Sequence, residues 1–225
     1  MGSAQGETVI STRSKAEYGL LAAENFADVR ATLDALPDER WDEAVLCDGW
    51  RVRDLVGHLV AGTTIPVPRV VGRVAAGGFN VDKAVKEVSI EVGERPIADL
   101  RASFNEESAR EKPRGVAGLM APKAVLCDWV THHLDIIVPL DLDVDIPEER
   151  LVEVLEVLPT INGFKTKKRA KGLRLVASDV DWTGGSGPEV RGEARALILA
   201  LGGRPALADS LTGDGAEVLR GRVAA

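Results

Sequence analysis

Asp128 and His132 lie four residues apart in the segment from Ala121 to Leu142, whose apolar residues predict a mostly buried helix. Positions four apart lie on the same face of a helix, so the carboxylate and the imidazole should meet. Val125 and Ile136 flank this face, and burying both polar groups is costly unless they share a partner. A divalent metal ion is one such partner, and a hydrogen-bonded ion pair is the simpler alternative.

A third candidate, His58, lies at the edge of the apolar stripe of a predicted helix from Trp50 to about Gly62. We expect Asp48 to cap this helix. Alone, a histidine in this position is more typical of a structural hydrogen bond than of a metal ligand. Together, His58, Asp128 and His132 form a His–carboxylate–His set on two helices, an arrangement common in the metal sites of helical bundles. Three protein ligands leave coordination positions open, as in catalytic zinc sites.

The elements that must position these residues are helices over most of the chain. Apolar residues recur at three- and four-residue spacing, and proline or glycine separates the segments. The predicted helices cover residues 14–36, 50–62, 69–76, 81–93, 96–108, 121–138 and 147–158. We therefore expect a helical bundle over residues 8–158.

The pattern changes after Pro159. Asn162-Gly163 and the run Lys165–Lys168 predict a polar connector, which places a domain boundary between residues 158 and 159. Strands are predicted at 173–177, 180–183 and 189–191, with Gly184–Gly187 as a hairpin turn, and helices at 193–201 and 216–223. The sequence thus predicts a small α/β domain over residues 159–225 and an α+β fold overall.

Composition excludes several classes of protein. The 225 residues carry a net charge of −7, whereas a general nucleic-acid binder usually presents a basic face. We find no apolar run of the roughly 20 residues that cross a bilayer and no segment of the signal-peptide type. Two cysteines are too few for a disulfide framework. We expect a cytoplasmic protein, monomeric or homodimeric, that binds neither nucleic acid nor membrane.

Three segments resemble the DinB-like, mycothiol-dependent maleylpyruvate isomerase family. DGWRVRDLVGHL (48–59) resembles its Gly-Trp and His-Leu segment, and DWVTHHLDI (128–136) is similar to its Glu-x-x-x-His-x-x-Asp helix. VRGEARALILALGGRP (190–205) is similar to its smaller C-terminal domain. The resemblance covers nearly the whole chain. It implies an N-terminal DinB-like four-helix bundle that holds one divalent metal ion, followed by a small, sterol-carrier-like α/β domain.

The resemblance also implies roles for single residues. His58, Asp128 and His132 match the metal ligands, which usually hold zinc, with nickel as an alternative. His133 has no ligand counterpart, whereas Asp135 matches an aspartate that could orient a ligand histidine. The family uses an arginine of its C-terminal domain near the active site. Our candidate for this catalytic role is Arg204, with Arg191 as the second choice.

The implied activity is an isomerisation or an S-transfer that uses mycothiol, a low-molecular-weight thiol, on a small electrophilic substrate bearing a carboxylate. One departure bears on this expectation, because the family usually has glutamate where this chain has the shorter Asp128. The alternatives are a non-catalytic metal- or ligand-binding bundle with an interaction or stress-related role, and an internal ion-pair network without metal. Cys127 neighbours Asp128, but adjacent helical residues diverge by about 100°, so we expect it to face away from the metal. Cys47 and Cys127 are both predicted to be buried and structural.

Overall fold

The structure is a computed structural model that describes residues 13–161 and 165–224. The described chain forms two compact units. The helical unit comprises Lys15–Val125 and Asp135–Val144, and the mixed unit comprises residues 13–14, 126–134, 145–161 and 165–224. The predicted α+β fold with a helical bundle is confirmed. The domain boundary between residues 158 and 159 stays a prediction. The predicted domain start at residue 8 and the Asn162-Gly163 connector lie outside the described residues.

The helical unit is built on amphipathic helices with the predicted spacing. Its helices are α1 (Lys15–Ala35), α2 (Val52–Thr64), α3 (Val67–Ala76), α4 (Val81–Gly93) and α5 (Ile97–Ser108). Short 3-10 helices occupy Asp38–Asp42 and Ala117–Leu119. Phe26 of α1 packs on Phe104 of α5 with 4.4 Å between ring centroids, and both rings are almost completely buried. Apolar burial of this kind is the main source of helical stability in proteins.

The predicted start of α2 is wrong. Asp48 lies in a tight turn in which Gly49 has a φ of 70° and the amide of Trp50 donates to the carbonyl of Cys47. The helix begins two residues later than predicted, after Arg51. The amide of Arg51 donates to the carboxylate of Asp54 at 2.9 Å, so Asp54 satisfies the backbone at the start of the helix.

Helix α6 (Pro122–Ile137) carries the predicted pair and contributes residues to both units. The mixed unit adds α7 (Glu148–Val157), α8 (Thr166–Ala170), α9 (Ala194–Leu201) and α10 (Ala216–Val223). Its strands are β1 (Arg174–Ala177), β2 (Thr183–Gly185) and β3 (Glu189–Gly192), and 3-10 helices occupy Leu158–Thr160 and Ala208–Ser210. Leu197–Leu201 of α9 are fully buried, which places this helix in the core of the unit.

The predicted hairpin at Gly184–Gly187 is wrong. The strand order is β2-β1-β3, with β1 antiparallel to β2 and parallel to β3. The turn of the antiparallel pair therefore lies between β1 and β2, and Gly184 and Gly185 belong to β2 itself. Gly185 has a φ of 74°, and a Cβ atom there would lie 2.3 Å from the carbonyl oxygen of Leu173. Glycine is thus needed for close backbone approach within the sheet.

Candidate functional site

Asp128 and His132 come together on α6 as their spacing predicts. Nε2 of His132 lies 3.5 Å from Oδ1 of Asp128. The side chains are only 10% (His132) and 18% (Asp128) exposed. Two potential metal donors are therefore adjacent on one rigid element and partly withdrawn from water. The same geometry is compatible with an ion pair when the imidazole is protonated.

The pair lines a cleft of the mixed unit. The lining residues are Cys127, Asp128, Thr131, His132, Leu158, Thr166, Gly202 and Arg204. Two of the three predicted ligands and the predicted catalytic arginine thus line one cleft. Concave sites with a few converging polar groups are the usual form of small-molecule binding sites.

Cys127 is buried, as predicted, and it also lines the cleft. That it faces away from a metal ion stays a prediction. Thr131 lies one turn after Cys127, just as His132 lies one turn after Asp128. Two adjacent rows of α6 side chains thus line the cleft, so Cys127 lies in it although its direction differs from that of Asp128 by about 100°.

Arg204 reaches the cleft because the chain turns sharply after α9. Gly202 ends the helix, and Gly203 follows with a φ of 85°, a conformation that favours glycine. Nη1 of Arg204 donates to the carbonyl of Gly202 at 2.7 Å, and its amide donates to the carbonyl of Leu199 at 2.8 Å. The guanidinium is therefore held by the backbone of the turn that precedes it.

Arg169 of α8 supports the same turn, and the sequence did not reveal it. Its Nη1 donates to the carbonyl of Leu201 at 3.1 Å, and its Nε donates to the carbonyl of Arg222 at 3.4 Å. Burial lowers the pKa of Arg169, and the neighbouring charge of Arg204 lowers it further. Two guanidinium groups thus lie close together in the mixed unit. The only signal in the sequence is the basic run at 165–169, which does not tell which residue is buried.

His58 belongs to the helical unit and is half-buried there. Its ring contacts the ring of Trp50 with 5.3 Å between centroids and a tilt of 48°. Its Nδ1 lies 3.4 Å from Oγ of Ser89 on α4. The sequence placed His58 at the edge of an apolar stripe but gave no indication of Ser89, which is 31 residues away.

Asp135 is completely buried in the helical unit and accepts a hydrogen bond from the thiol of Cys47 at 3.1 Å. The proposed role of Asp135 in orienting a ligand histidine stays a prediction. Cys47 is only partly buried, which corrects its predicted burial, and it forms no disulfide with Cys127. His133 is buried but does not line the cleft.

Arg191, the second choice for the catalytic arginine, lies on β3 with a side chain that is 48% exposed. It pairs with Glu189 at 3.0 Å and does not line the cleft.

Among the described helices, none combines the length and the apolar character needed to cross a membrane.

Comparison with known proteins identifies the family. A family model described as "Mycothiol maleylpyruvate isomerase N-terminal domain" matches residues 22–137, more than half of the chain. A crystal structure of the mycothiol-dependent maleylpyruvate isomerase is similar, with 19% sequence identity and a TM-score of 0.58. A histidine-to-alanine mutant of that isomerase is similar with 18% identity and the same TM-score. In both comparisons, 91% of this chain and 94% of the other are covered.

The two structures establish likeness of fold. No curated protein matches the chain. The family match confirms the predicted resemblance, and it covers the first two of the three sequence segments, 48–59 and 128–136. The chain belongs to the mycothiol-dependent maleylpyruvate isomerase family.

Proposed function

We propose that this protein is a metal-dependent enzyme that uses mycothiol to isomerise, or to transfer sulfur to, a small electrophilic carboxylate. The observation that carries the proposal is the convergence of Asp128, His132 and Arg204 on one cleft. A carboxylate and an imidazole 3.5 Å apart offer a cation two ligand atoms, and the guanidinium offers an anion a charged donor. Family membership supports the choice of thiol.

We propose His58 as the third ligand. Two imidazoles and one carboxylate suit zinc, and nickel also accepts imidazole nitrogen. The choice of His58 rests on its position in the segment DGWRVRDLVGHL (48–59), which resembles the family's Gly-Trp and His-Leu segment. Asp128 is one methylene shorter than glutamate, so its carboxylate must be held close to the α6 backbone. A divalent cation in this ligand set supplies the positive charge that favours a thiolate over a thiol at neutral pH.

The protein's own groups then hold and polarise the substrate. Arg204 binds the substrate carboxylate and stabilises negative charge that develops on the conjugated carbonyl oxygen. A thiolate held in the cleft would add to the electrophilic carbon of the substrate. A C–S bond would form as the π electrons move onto the carbonyl oxygen, where Arg204 would stabilise the enolate. Loss of the thiolate after rotation about the new single bond would restore the double bond in the other geometry. In a transferase, a proton would quench the enolate and the sulfur would stay on the product.

The first test is the metal content of the purified protein and of two variants. We expect about one zinc or nickel ion per chain in the wild type, and loss of the ion in His58→Ala and in His132→Ala. His133→Gln is the matched control, because it alters the adjacent histidine of α6, which does not line the cleft. Full occupancy in His58→Ala or His132→Ala removes that residue from the ligand set.

The second test is turnover of maleylpyruvate with mycothiol, without it, and with a thiol-free analogue. Thiol-dependent isomerisation would support the proposal that the protein is an enzyme. Retention of metal without turnover would favour the alternative, a non-catalytic metal-binding bundle. A wild type that takes up no added metal points to an Asp128–His132 ion pair. We also propose a cytoplasmic location, where a thiol cosubstrate remains reduced.

A further inference from the structure

The close contact between α2 and α4 depends on two glycines, Gly57 and Gly93, which have no side chain. A Cβ atom at Gly57 would lie 2.3 Å from the carbonyl oxygen of Ser89 and 2.7 Å from the amide nitrogen of Gly93. A Cβ atom at Gly93 would lie 2.8 Å from a carboxylate oxygen of Asp54. These two glycines bring the backbones together next to His58. Ser89 is only 1% exposed at this contact.

The hydroxyl proton of Ser89 is engaged by its own helix. Oγ of Ser89 donates to the carbonyl of Val85, one turn earlier, at 2.7 Å. The same Oγ lies 3.4 Å from Nδ1 of His58. A hydroxyl has one proton and two acceptor lone pairs, so a proton directed at Val85 leaves only lone pairs toward His58. A hydrogen bond between Ser89 and His58 therefore requires the imidazole to be the donor.

We propose that Ser89 is a positioning residue that holds His58 in the tautomer protonated on Nδ1, which leaves Nε2 as the metal-binding atom. A neutral imidazole has one N–H and one lone pair, so the hydrogen bond at Nδ1 decides where the lone pair lies. The tilted contact with Trp50 further restricts the ring. This inference rests on the proposed function, since it assigns the donor atom of a proposed ligand.

The tautomer can be measured in the metal-free protein by ¹⁵N NMR of the imidazoles at a pH where they are neutral. The chain has three histidines, so comparison with His58→Gln assigns the signals of His58. We expect a protonated Nδ1 and an unprotonated Nε2 in the wild type. In Ser89→Ala the two tautomers should exchange, and their ¹⁵N shifts should move toward each other. A wild-type His58 protonated on Nε2, or unchanged shifts in Ser89→Ala, overturns the inference.

Zinc affinity, measured by competition with a chromophoric chelator, gives a second readout. We expect Ser89→Ala to bind zinc about tenfold more weakly, since removing a hydrogen bond to a ligand histidine typically has this effect. Thr32→Ala is the matched control, because it removes a buried hydroxyl bonded to the carbonyl of Asp28 on α1. It should leave both the tautomer and the affinity unchanged.

The two readouts separate the inference from the function on which it rests. A shifted tautomer in Ser89→Ala with unchanged zinc affinity overturns the positioning role of Ser89. Retention of zinc by His58→Ala overturns the proposed ligand set, and that result does not depend on Ser89.

Discussion

The α2–α4 contact and the turn after α9 position candidate site residues by opposite means. At α2–α4, His58 is placed by glycines that let two backbones meet, and an added methyl group would collide with a carbonyl. At the turn, Arg204 is placed by guanidinium groups that donate to carbonyls. The first region should therefore be sensitive to added volume, and the second to loss of charge and donors.

The largest effect should come from adding volume at α2–α4. Gly57→Ala places a Cβ atom 2.3 Å from the carbonyl oxygen of Ser89, so the helices must separate. We expect a loss of about 3 kcal/mol in the free energy of unfolding, measured in urea. Gly62→Ala is the control on the same helix, because nothing lies within 4 Å of its added Cβ. It should gain up to about 1 kcal/mol from the better helix propensity of alanine. Equal stability of the two variants would contradict the view that the α2–α4 contact is sensitive to added volume.

Removing the positive charge of Arg204 at the turn after α9 should weaken binding of the carboxylate substrate. Arg204→Met deletes the guanidinium of the cleft, and we expect KM for the carboxylate substrate to rise about 30-fold, equivalent to about 2 kcal/mol for a hydrogen bond to a charged group. Arg191→Met is the control, since that arginine is half-exposed and outside the cleft. Steady-state kinetics with mycothiol measure the effect. A similar rise in KM for both variants would contradict a specific role for Arg204.

Arg169 should contribute to the stability of the fold. Arg169→Met leaves the carbonyl of Leu201 without this donor, and we expect a loss of about 1.5 kcal/mol in the free energy of unfolding. Arg195→Met removes an exposed arginine paired with Glu193 and should change stability by less than about 0.5 kcal/mol. Urea denaturation of the two variants tests whether the turn is held by buried donors. A larger loss in Arg195→Met would contradict this view.

The smallest effect concerns Glu156, a half-buried carboxylate of α7 that accepts a hydrogen bond from Trp182 at 2.8 Å. Burial raises its pKa above the ordinary value of 4.5, and the charge of Glu153 adds to the rise, although the Trp182 hydrogen bond opposes it. The folded protein therefore keeps the proton longer than the unfolded chain, so this group lowers stability as pH rises from about 4.5. Glu156→Gln keeps an acceptor for Trp182 but cannot ionise.

We expect the melting temperatures of wild type and Glu156→Gln to be similar near pH 4, with the variant increasingly more stable as pH rises to 7. Thermal unfolding at several pH values measures the difference. A constant difference, or one that favours the wild type at higher pH, would show that ionisation of Glu156 has no destabilising role.

The sequence predicted the features that depend on local spacing. Helix α10 has the predicted bounds, and the meeting of Asp128 with His132 follows from their separation by one turn. Features that depend on contacts between distant segments could not be predicted from the sequence. The pairing of β2 with β1 contradicts the hairpin that local glycines indicated, because strand order is set by packing of the whole unit. Ser89 carries no local signal, and the basic run that contains Arg169 does not single it out, since the role of each residue depends on the groups it contacts.

The edges of the small sheet have a consequence for self-association. Strand β2 forms one edge, but it has only three residues, of which two are glycine. The other edge, β3, exchanges two backbone hydrogen bonds of 2.8 Å between Arg191 and Thr212. Short edge strands and covered edges prevent a sheet from templating the addition of a foreign strand. This sheet therefore gives little opportunity for intermolecular β-aggregation, even though Leu175, Val176 and Val190 of its strands are buried and apolar.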